Sequence, residues 1–260
     1  MAKQLKEIQE NSDDLEPKYR APALEKGLDI LELLARNSEP MSSSQIAATL
    51  DRSVSELFRM ILALEYRGYI MQVNDGYALT NKLFTLGIAQ GSTKNLLEIA
   101  LPAMKDLSAD LGQSCHLVVR SGDQIVVIAR QESPMDLGFS VRVGYRRPLI
   151  VTNSGALFYA FASVERQKSW LPQIVASASQ RDIDQFNIRV SQSLEHSYIK
   201  HPSDFVDGVM DFCMPIITRQ GVIATLIVPF IHIKDQHIPE EKVLESLRQT
   251  TIKIAHDLID

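Results

Sequence analysis

Two cysteines and several histidines are the residues of this sequence that could act as a nucleophile, a base or a metal ligand. Cys115 is followed directly by His116, and Cys213 comes twelve residues after His201. Nucleophilic catalysis requires a thiol and an imidazole within hydrogen-bond reach. The apolar run around Cys115 predicts a β-strand, in which adjacent side chains point to opposite faces. We therefore expect both cysteines to pack in the core, Cys213 to be a candidate for lining a pocket, and no residue to be catalytic.

The histidines lack the spacing of a metal site. His116, His196, His201, His232 and His237 have neither an i,i+4 histidine partner nor a cysteine-rich setting. Zinc and other transition metals are usually held by closely spaced cysteines and histidines. The sequence therefore predicts no metal and no cofactor.

Composition limits the class of protein further. The 260 residues carry a formal net charge of -5, and 45% are hydrophobic, which is enough for a globular core. No apolar run has the length of a membrane span. Residues 1–20 are polar, lack the apolar core of a secretory signal, and are predicted to form a flexible arm. We expect a cytoplasmic protein with reduced thiols.

The elements that position these residues begin with three predicted helices. In the first helix, leucines recur at helical spacing from Leu24 to Leu34. In the second, Ser42 and Gln45 stand three apart, as in a capping box, in which each side chain satisfies an unpaired backbone N–H. In the third, Ser53 and Glu56 repeat that signature after a very short turn. The second and third helices together are typical of a helix-turn-helix.

A predicted hairpin follows the third helix. Two strand-like runs flank Asn74-Asp75-Gly76, which is a strong short-range hairpin signal. Three helices with a tight turn and a following hairpin predict a winged helix-turn-helix over residues 21–90. The sequence therefore predicts binding to double-stranded DNA, because recognition helices of this class contact base edges in the major groove.

The third helix also predicts its own reading surface. If Val54 and Phe58 face the core, then Ser55, Glu56 and Arg59 lie on the outer face. We interpret Glu56 as a capping-box partner that folds back on the backbone, which leaves Ser55 and Arg59 for the groove. Residues 20–90 contain seven basic and eight acidic side chains, so DNA affinity must depend on local placement and on dimerisation. The predicted DNA-binding residues are Ser42, Ser43, Arg52, Ser53, Ser55, Glu56, Arg59, Arg67 and Lys82.

The second half of the chain has a different pattern of predicted helices and strands. Residues 91–112 are helical in pattern, contain Pro102, and are predicted to link the two halves. From residue 113 onward, a hairpin pattern is followed by helical stretches, a second hairpin pattern and a closing amphipathic helix. Strands at both ends with helices between them predict an antiparallel sheet flanked by helices, an α+β ligand-sensing domain over residues 113–260.

These residues resemble the IclR family of bacterial transcriptional regulators. The likeness covers nearly the whole chain from Ala23, in "ALEKGLDILELLA", "SQIAATLDRSVSELFRMILALEYRGYI", "HLVVRSGDQIVVIARQES" and "VGYRRPLIVTNSGALFYAF". The resemblance implies an N-terminal winged helix, a helical linker and a GAF-like C-terminal domain that binds a small metabolite. It also implies homodimers, often paired into homotetramers.

The resemblance further implies where an effector would bind. The family's Gly-Ala pair falls on Asn153 and Ser154, before Gly155 of a capped helix. Its carboxylate and cysteine fall on His201 and Asp211, and its last-strand serines fall on Ile227 and Pro229. Cys213 lies two residues beyond the family's cysteine position, and hence on the same strand face. The complete set of predicted effector-binding residues is His116, Phe139, Asn153, Ser154, Gly155, His201, Asp211, Cys213 and Ile227.

Two functions of different classes remain open at this stage. The first is a DNA-binding regulator, a repressor, whose operator affinity is controlled by an organic or sugar acid and which controls an adjacent catabolic operon. The alternative is a small-molecule-binding or hydrolytic enzyme whose N-terminal helices serve only for dimerisation. The hairpin after the third helix favours the regulator, because an oligomerisation helix needs no wing.

Overall fold

A computed structural model of the chain describes residues 20–88, 91–176, 178–203, 206–233 and 238–258. Residues 1–19 of the predicted arm and His237 lie outside the described residues. The chain divides into two compact units, one ending at Lys94 and the other continuing from Asn95. Within the described ranges, no helix is long and apolar enough to cross a membrane.

The first unit is a winged helix-turn-helix. Its elements are α1 (Pro22–Arg36), α2 (Ser43–Thr49), α3 (Val54–Tyr66), the antiparallel strands β1 (Ile70–Val73) and β2 (Gly76–Leu79), and α4 (Lys82–Ile88). Its core packs Ile30 and Leu34 of α1 against Ile46 of α2 and against Leu57 and Ile61 of α3. The predicted hairpin forms around Asn74, which adopts a left-handed φ of 53° that asparagine tolerates better than most residues.

The two predicted helix starts differ in detail. At α2 the capping box is complete: Ser42 Oγ accepts from the Gln45 N–H at 3.3 Å, and Gln45 Oε1 accepts from the Ser42 N–H at 2.8 Å. At α3 only half of the box forms, because Ser53 Oγ accepts from the Glu56 N–H at 3.2 Å while the Glu56 carboxylate binds elsewhere. Between the two helices Asp51 turns the chain with a left-handed φ of 52°.

The second unit contains an antiparallel sheet flanked by helices, as predicted. It begins in α5 (Gly91–Leu111), a helix that contains Pro102, and continues through β3 (Cys115–Ser121), β4 (Gln124–Gln131), β5 (Arg146–Pro148) and a 3-10 turn (Leu149–Val151). Then follow α6 (Asn153–Ala160), α7 (Val164–Val175), α8 (Gln180–His196), β6 (Ile199–Pro202), β7 (Val209–Thr218), β8 (Gly221–Ile231) and α9 (Glu240–Asp257). The strand order is β5-β4-β3-β8-β7-β6, so the two long hairpins meet along β3 and β8.

The two faces of this sheet have different cores. On one face Cys115, Leu117, Phe212 and Leu226 pack against α5 and α9. On the other face Val118, Val127 and Cys213 pack against the 3-10 turn, α6, α7 and α8. Strand alternation separates neighbours in sequence, so Cys115 lies in the first core and His116 faces the second side. The two side chains therefore point to opposite faces of the sheet, as strand alternation predicted.

Candidate functional site

The outer surface of α3 differs from the sequence prediction. Leu57 and Ile61 form the buried stripe, whereas Val54 is 37% and Phe58 is 52% exposed. The prediction that Val54 and Phe58 face the core is therefore wrong. Val54 and Phe58 are spaced i,i+4, and so are Leu57 and Ile61. Helical periodicity alone therefore does not show which pair is buried. Ser55 and Arg59 are exposed as predicted, on a surface that also presents the Phe58 side chain.

Glu56 is held by two cations. Its Oε1 lies 2.7 Å from Lys26 Nζ of α1 and 3.0 Å from Arg52 Nη1. Lys26 first, and Arg52 after it, hold the pKa of the Glu56 carboxyl below its usual value. The interpretation of Glu56 as a full capping-box partner is thus corrected: the side chain joins α1 to α3 by an ion pair and engages Arg52.

The other predicted DNA-binding residues lie at helix ends. Ser42 and Ser53 cap α2 and α3, and Ser43 is the first residue of α2. Arg67 follows the last turn of α3, and its carbonyl accepts a hydrogen bond from Lys82 Nζ. The same ammonium lies 4.7 Å from the centre of the Tyr69 ring. Lys82 is therefore fixed at the join between α3, the wing and α4.

In the second unit, α6 is fixed to the 3-10 turn before it. Thr152 Oγ1 accepts from the Gly155 N–H at 3.1 Å and so caps the helix. A Cβ at Gly155 would stand 1.9 Å from the Leu149 carbonyl oxygen. Only glycine therefore allows this close approach of helix and turn, and the approach places Asn153 and Ser154 against the sheet.

A small cavity of about 50 Å³ lies between the start of α6 and the sheet. Six of the predicted effector-binding residues line it: His116, Phe139, Asn153, Ser154, Asp211 and Ile227. The rest of the lining, apart from Pro229, was not predicted to bind an effector: Val118, Ile125, Val127, Val141, Tyr145, Thr152 and Ser203. Period-two alternation could have found some of these, since Val118 stands two residues from His116 on the same strand face.

The polar groups of the cavity cluster at the start of α6. Asn153 is 4% exposed, and its Nδ2 donates to Asp211 Oδ2 at 3.4 Å, while Asp211 is 7% exposed. Ser154 Oγ accepts from Thr225 Oγ1 at 2.7 Å and lies 3.7 Å from Cys213 Sγ. The Ser154 hydroxyl therefore fastens α6 to β8 and β7, and the Asn153–Asp211 pair faces the cavity.

His116 is a neutral, hydrogen-bonded group of the cavity wall. Burial, with a smaller contribution from Arg130, lowers the pKa of His116 from 6.5 to about 4. Its Nε2 accepts the Val141 N–H at 2.8 Å. A neutral imidazole that accepts at Nε2 carries its proton on Nδ1. His116 thus ties the segment before β5 to the sheet and adds no positive charge.

Three of the predicted effector-binding residues do not line the cavity. Gly155 packs on the 3-10 turn, and Cys213 lies behind Ser154. His201 pairs directly with Asp211 across β6 and β7, but its Nδ1 donates to the Pro202 carbonyl at 2.7 Å, and it borders a separate groove with Arg147 and Arg189. The bond from Nδ1 to the Pro202 carbonyl holds the imidazole beside its own strand, and strand alternation does not predict such a local bond.

Neither thiol has the setting of a nucleophile. Burial raises the pKa of both Cys115 and Cys213 to about 12. A reactive cysteine instead sits near positive charge or a helix N-terminus with a depressed pKa. Across the part of the chain that the structure describes, no three His, Cys, Asp or Glu side chains form a cluster that could hold a metal ion.

Comparison with known sequences decides the family. The profile described as "Bacterial transcriptional regulator IclR C-terminal" matches residues 89–256, and "IclR helix-turn-helix domain" matches residues 23–74. The chain belongs to the IclR family. Members of this family are transcriptional regulators rather than enzymes, so the alternative of an enzyme with an N-terminal dimerisation module loses its support.

The individual proteins that match this IclR-family chain are only distantly similar to it in sequence. It is 28% identical over 148 residues to the HTH-type transcriptional repressor AllR of Escherichia coli (strain K12), covering 56% of this chain and 55% of that protein. AllR of Klebsiella pneumoniae is likewise 28% identical, with 54% of that protein covered. The chain therefore spans about half the length of the curated relatives it matches.

Two solved structures share the fold. An IclR homolog from Microbacterium hydrocarbonoxydans, complexed with 4-hydroxybenzoate, has a TM-score of 0.75 and 19% identity, covering 91% of this chain and 99% of that one. The Thermotoga maritima IclR has a TM-score of 0.64 and 23% identity, covering 91% of this chain and 98% of that one. At identities this low, the similarity to these two structures establishes only the fold of this IclR-family chain.

Proposed function

We propose that this protein is a repressor that binds operator DNA through α3 and responds to a small metabolite bound in the C-terminal cavity. One observation carries the proposal: a winged helix-turn-helix whose third helix exposes Ser55 and Arg59 and a cavity with buried polar groups occur in one chain. The repressor activity named for AllR supports the sign of regulation. Control of an adjacent catabolic operon is part of the same proposal.

Arg59 is the residue on which the DNA-binding proposal depends most. It is exposed on α3, close to the helix start, and among the described residues it has no ion-pair partner. Arginine reads guanine through two parallel hydrogen bonds to O6 and N7. Arg52, by contrast, is paired with Glu56. Arg59 is thus placed to read a base, whereas Arg52, Arg67 and Lys82 are candidates for phosphate contacts.

A homodimer is part of the proposal, because the DNA-binding unit is close to neutral. Phosphate neutralisation supplies much of the affinity of DNA-binding proteins. With few basic side chains available, two linked units on two half-sites reach useful affinity more readily than one, since the second contact is made at high effective concentration. Dimers or tetramers in solution are accordingly expected.

The effector is proposed to be a small organic or sugar acid with an apolar portion. Six of the fourteen lining residues are valine, isoleucine or phenylalanine, and polar groups from the start of α6 and from Asp211 lie beside them. Such a lining suits a compact ligand that is oriented by a few polar contacts. The protein of the same fold that was solved with 4-hydroxybenzoate supports a ligand of this size. A coupling of about 1–3 kcal/mol between the two sites would change operator affinity about 5–150-fold.

A titration of the full chain on its own promoter DNA tests the DNA-binding proposal. Arg59→Ala is expected to weaken specific binding by about 1–3 kcal/mol, because a two-bond base contact is lost. Arg36→Ala removes the same charge from the end of α1, outside the reading face, and serves as the matched control. Equal losses in the two variants, or no loss in either, would remove Arg59 from the reading surface.

Glu56→Gln provides an independent arm of the same titration. The substitution releases Lys26 and Arg52 from their shared carboxylate. If Arg52 then reaches a phosphate, the slope of log affinity against log salt steepens by about 0.9, with tighter binding at low salt. A change in the preferred operator sequence, with no change in the salt slope, would instead mean that Glu56 itself reads a base.

A further inference from the structure

The exposed side chains of α3 form two neighbouring stripes. One stripe is apolar and contains Val54, Phe58 and Leu62, which stand four residues apart and are all exposed. The other stripe is polar and contains Ser55 and Arg59, which are exposed as well. Residues three or four apart are neighbours on a helix surface, and each step of one residue turns by about 100°. Phe58 therefore borders the polar reading face, beside both Ser55 and Arg59.

The core of the first unit does not account for this phenylalanine. That core contains Leu57 and Ile61 but not Phe58, which is half exposed. The flank of α3 that meets α1 is marked by Glu56, whose Oε1 lies 2.7 Å from Lys26 Nζ. Phe58 lies two residues further on, about 160° around the helix from Glu56, and hence on the flank away from that contact. A single exposed apolar side chain is ordinary, but this one stands on the surface that is proposed to enter the groove.

The position of Phe58 along α3 brings its ring to base edges. It is the fifth residue of the helix and so lies within the first two turns, which are the turns of a recognition helix that contact bases in the major groove. The next residue, Arg59, is the side chain proposed to read a guanine. Contacts to the phosphate backbone are made by hydrogen-bonding and charged groups, and a phenyl ring has neither.

The major groove offers an apolar side chain one specific partner. Thymine presents a C5 methyl group there, whereas the edges of the other three bases carry only hydrogen-bond donors and acceptors. Apolar side chains, phenylalanine among them, contact this methyl group. Burying one methyl-sized group corresponds to a change in affinity of about fourfold. Phe58 and Arg59 thus complement each other, because one suits thymine and the other suits guanine.

We propose that Phe58 contacts the C5 methyl group of a thymine in the operator and so determines sequence specificity beside the base read by Arg59. The inference rests on the proposed function, because it concerns the same helix in the same groove. It adds a requirement that a hydrogen-bond contact does not make: the operator needs the methyl group of this thymine as well as its base pair.

Replacing thymine by deoxyuridine tests this requirement on the DNA. The replacement removes the methyl group and leaves the hydrogen-bonding edges of the base pair unchanged. Thymines in the region of the promoter that the protein protects are replaced one position at a time, and the affinity of the full chain for each fragment is measured by titration. We expect one position in each half-site at which deoxyuridine weakens binding about fourfold, as the loss of one buried methyl group predicts.

The same titrations with Phe58→Ala assign the effect to a residue. The variant is expected to bind the thymine operator more weakly and to lose the deoxyuridine effect at that position, because its side chain ends at Cβ and no longer reaches the methyl group. Leu62→Ala is the matched control: it shortens an exposed side chain of the same stripe, one turn further from the helix start, and should keep the fourfold effect. If Phe58→Ala does not fold, as judged by its Tm, Phe58→Ser replaces it.

Three results would overturn this inference alone. The first is that deoxyuridine has no effect at any position while Arg59→Ala still weakens specific binding. The second is a deoxyuridine effect that persists unchanged in Phe58→Ala, which would belong to the DNA or to another residue. The third is that Phe58→Ala alters the oligomeric state in light scattering and leaves the deoxyuridine effect intact, which would place Phe58 against a second copy of the chain. Absence of specific binding of promoter DNA by the wild type would overturn the proposed function and this inference with it.

Discussion

Replacing Gly155 by alanine tests whether the close contact between α6 and the 3-10 turn is real. The added Cβ would lie 1.9 Å from the Leu149 carbonyl oxygen, 2.7 Å from its carbonyl carbon and 2.8 Å from its Cγ. Ordinary C···O contacts lie at about 3.3–3.6 Å. Because two of the three obstructing atoms belong to the backbone, a rotamer change cannot relieve the overlap, and the helix and the turn must move apart by roughly 1.5 Å.

The expected cost is at the upper end of the range for overpacked cores, about 3 kcal/mol. For a unit of this size, that corresponds to a fall in Tm of roughly 6–12 °C. The usual expectation has the opposite sign, since alanine is preferred over glycine within a helix by about 0.5–1 kcal/mol. The sign of the effect therefore distinguishes the steric argument from helix propensity.

Calorimetry of the full chain distinguishes the fall in Tm that overpacking predicts from the rise in Tm that helix propensity predicts. Gly27→Ala is the matched control, because Gly27 is also buried within a helix but an added Cβ would meet no atom within 4 Å. We expect the control to leave the Tm unchanged or to raise it. If Gly155→Ala behaves as the control does, α6 does not approach the turn as described, and the placement of Asn153 and Ser154 loses its basis.

Two other predictions concern buried titratable groups. The pKa of His116 is lowered from 6.5 to about 4, so the unfolded chain binds the proton more readily and stability should fall as pH drops from about 6.5 towards 4, by up to roughly 3 kcal/mol. Denaturant titrations across this window check it, and a loss that persists unchanged in His116→Gln would assign the effect to other groups. Burial raises the pKa of Cys115 and Cys213 to about 12, so neither thiol should react with a disulfide reagent at pH 8 until the protein is unfolded. Rapid modification of the native protein would show that one of them is accessible.

Local signals in the sequence predicted the elements well. The Ser42 capping box, the Asn74 hairpin and the alternation around Cys115 each depend on neighbouring residues, and each appears as expected. The orientation of α3 was missed because Val54 and Phe58 have the same spacing as the buried Leu57 and Ile61. Only packing against α1 decides between these stripes, and the sequence of one helix does not contain that information.

The cavity was predictable in part. Asn153, Ser154 and Asp211 line it where the resemblance implied, while the roles of Gly155 and Ser203 depend on distances between elements far apart in sequence. The partners of Glu56 were missed for a related reason: the capping signature is local, but Lys26 lies 30 residues earlier on another helix. Long side chains with two competing partners are decided by the tertiary structure.

The residues around α6 fall into two groups, those that hold the helix in place and those that line the cavity. Gly155 and the Ser154–Thr225 bond hold the helix to its neighbours, whereas Asp211, Ser203 and Phe139 line the cavity. Substitutions at Ser203 or Phe139 leave these anchoring contacts intact, whereas a change at Asp211 also removes its hydrogen bond with Asn153 of α6. The cavity lining of a duplicated copy of this protein can therefore change at Ser203 and Phe139 in single steps while α6 keeps its attachment.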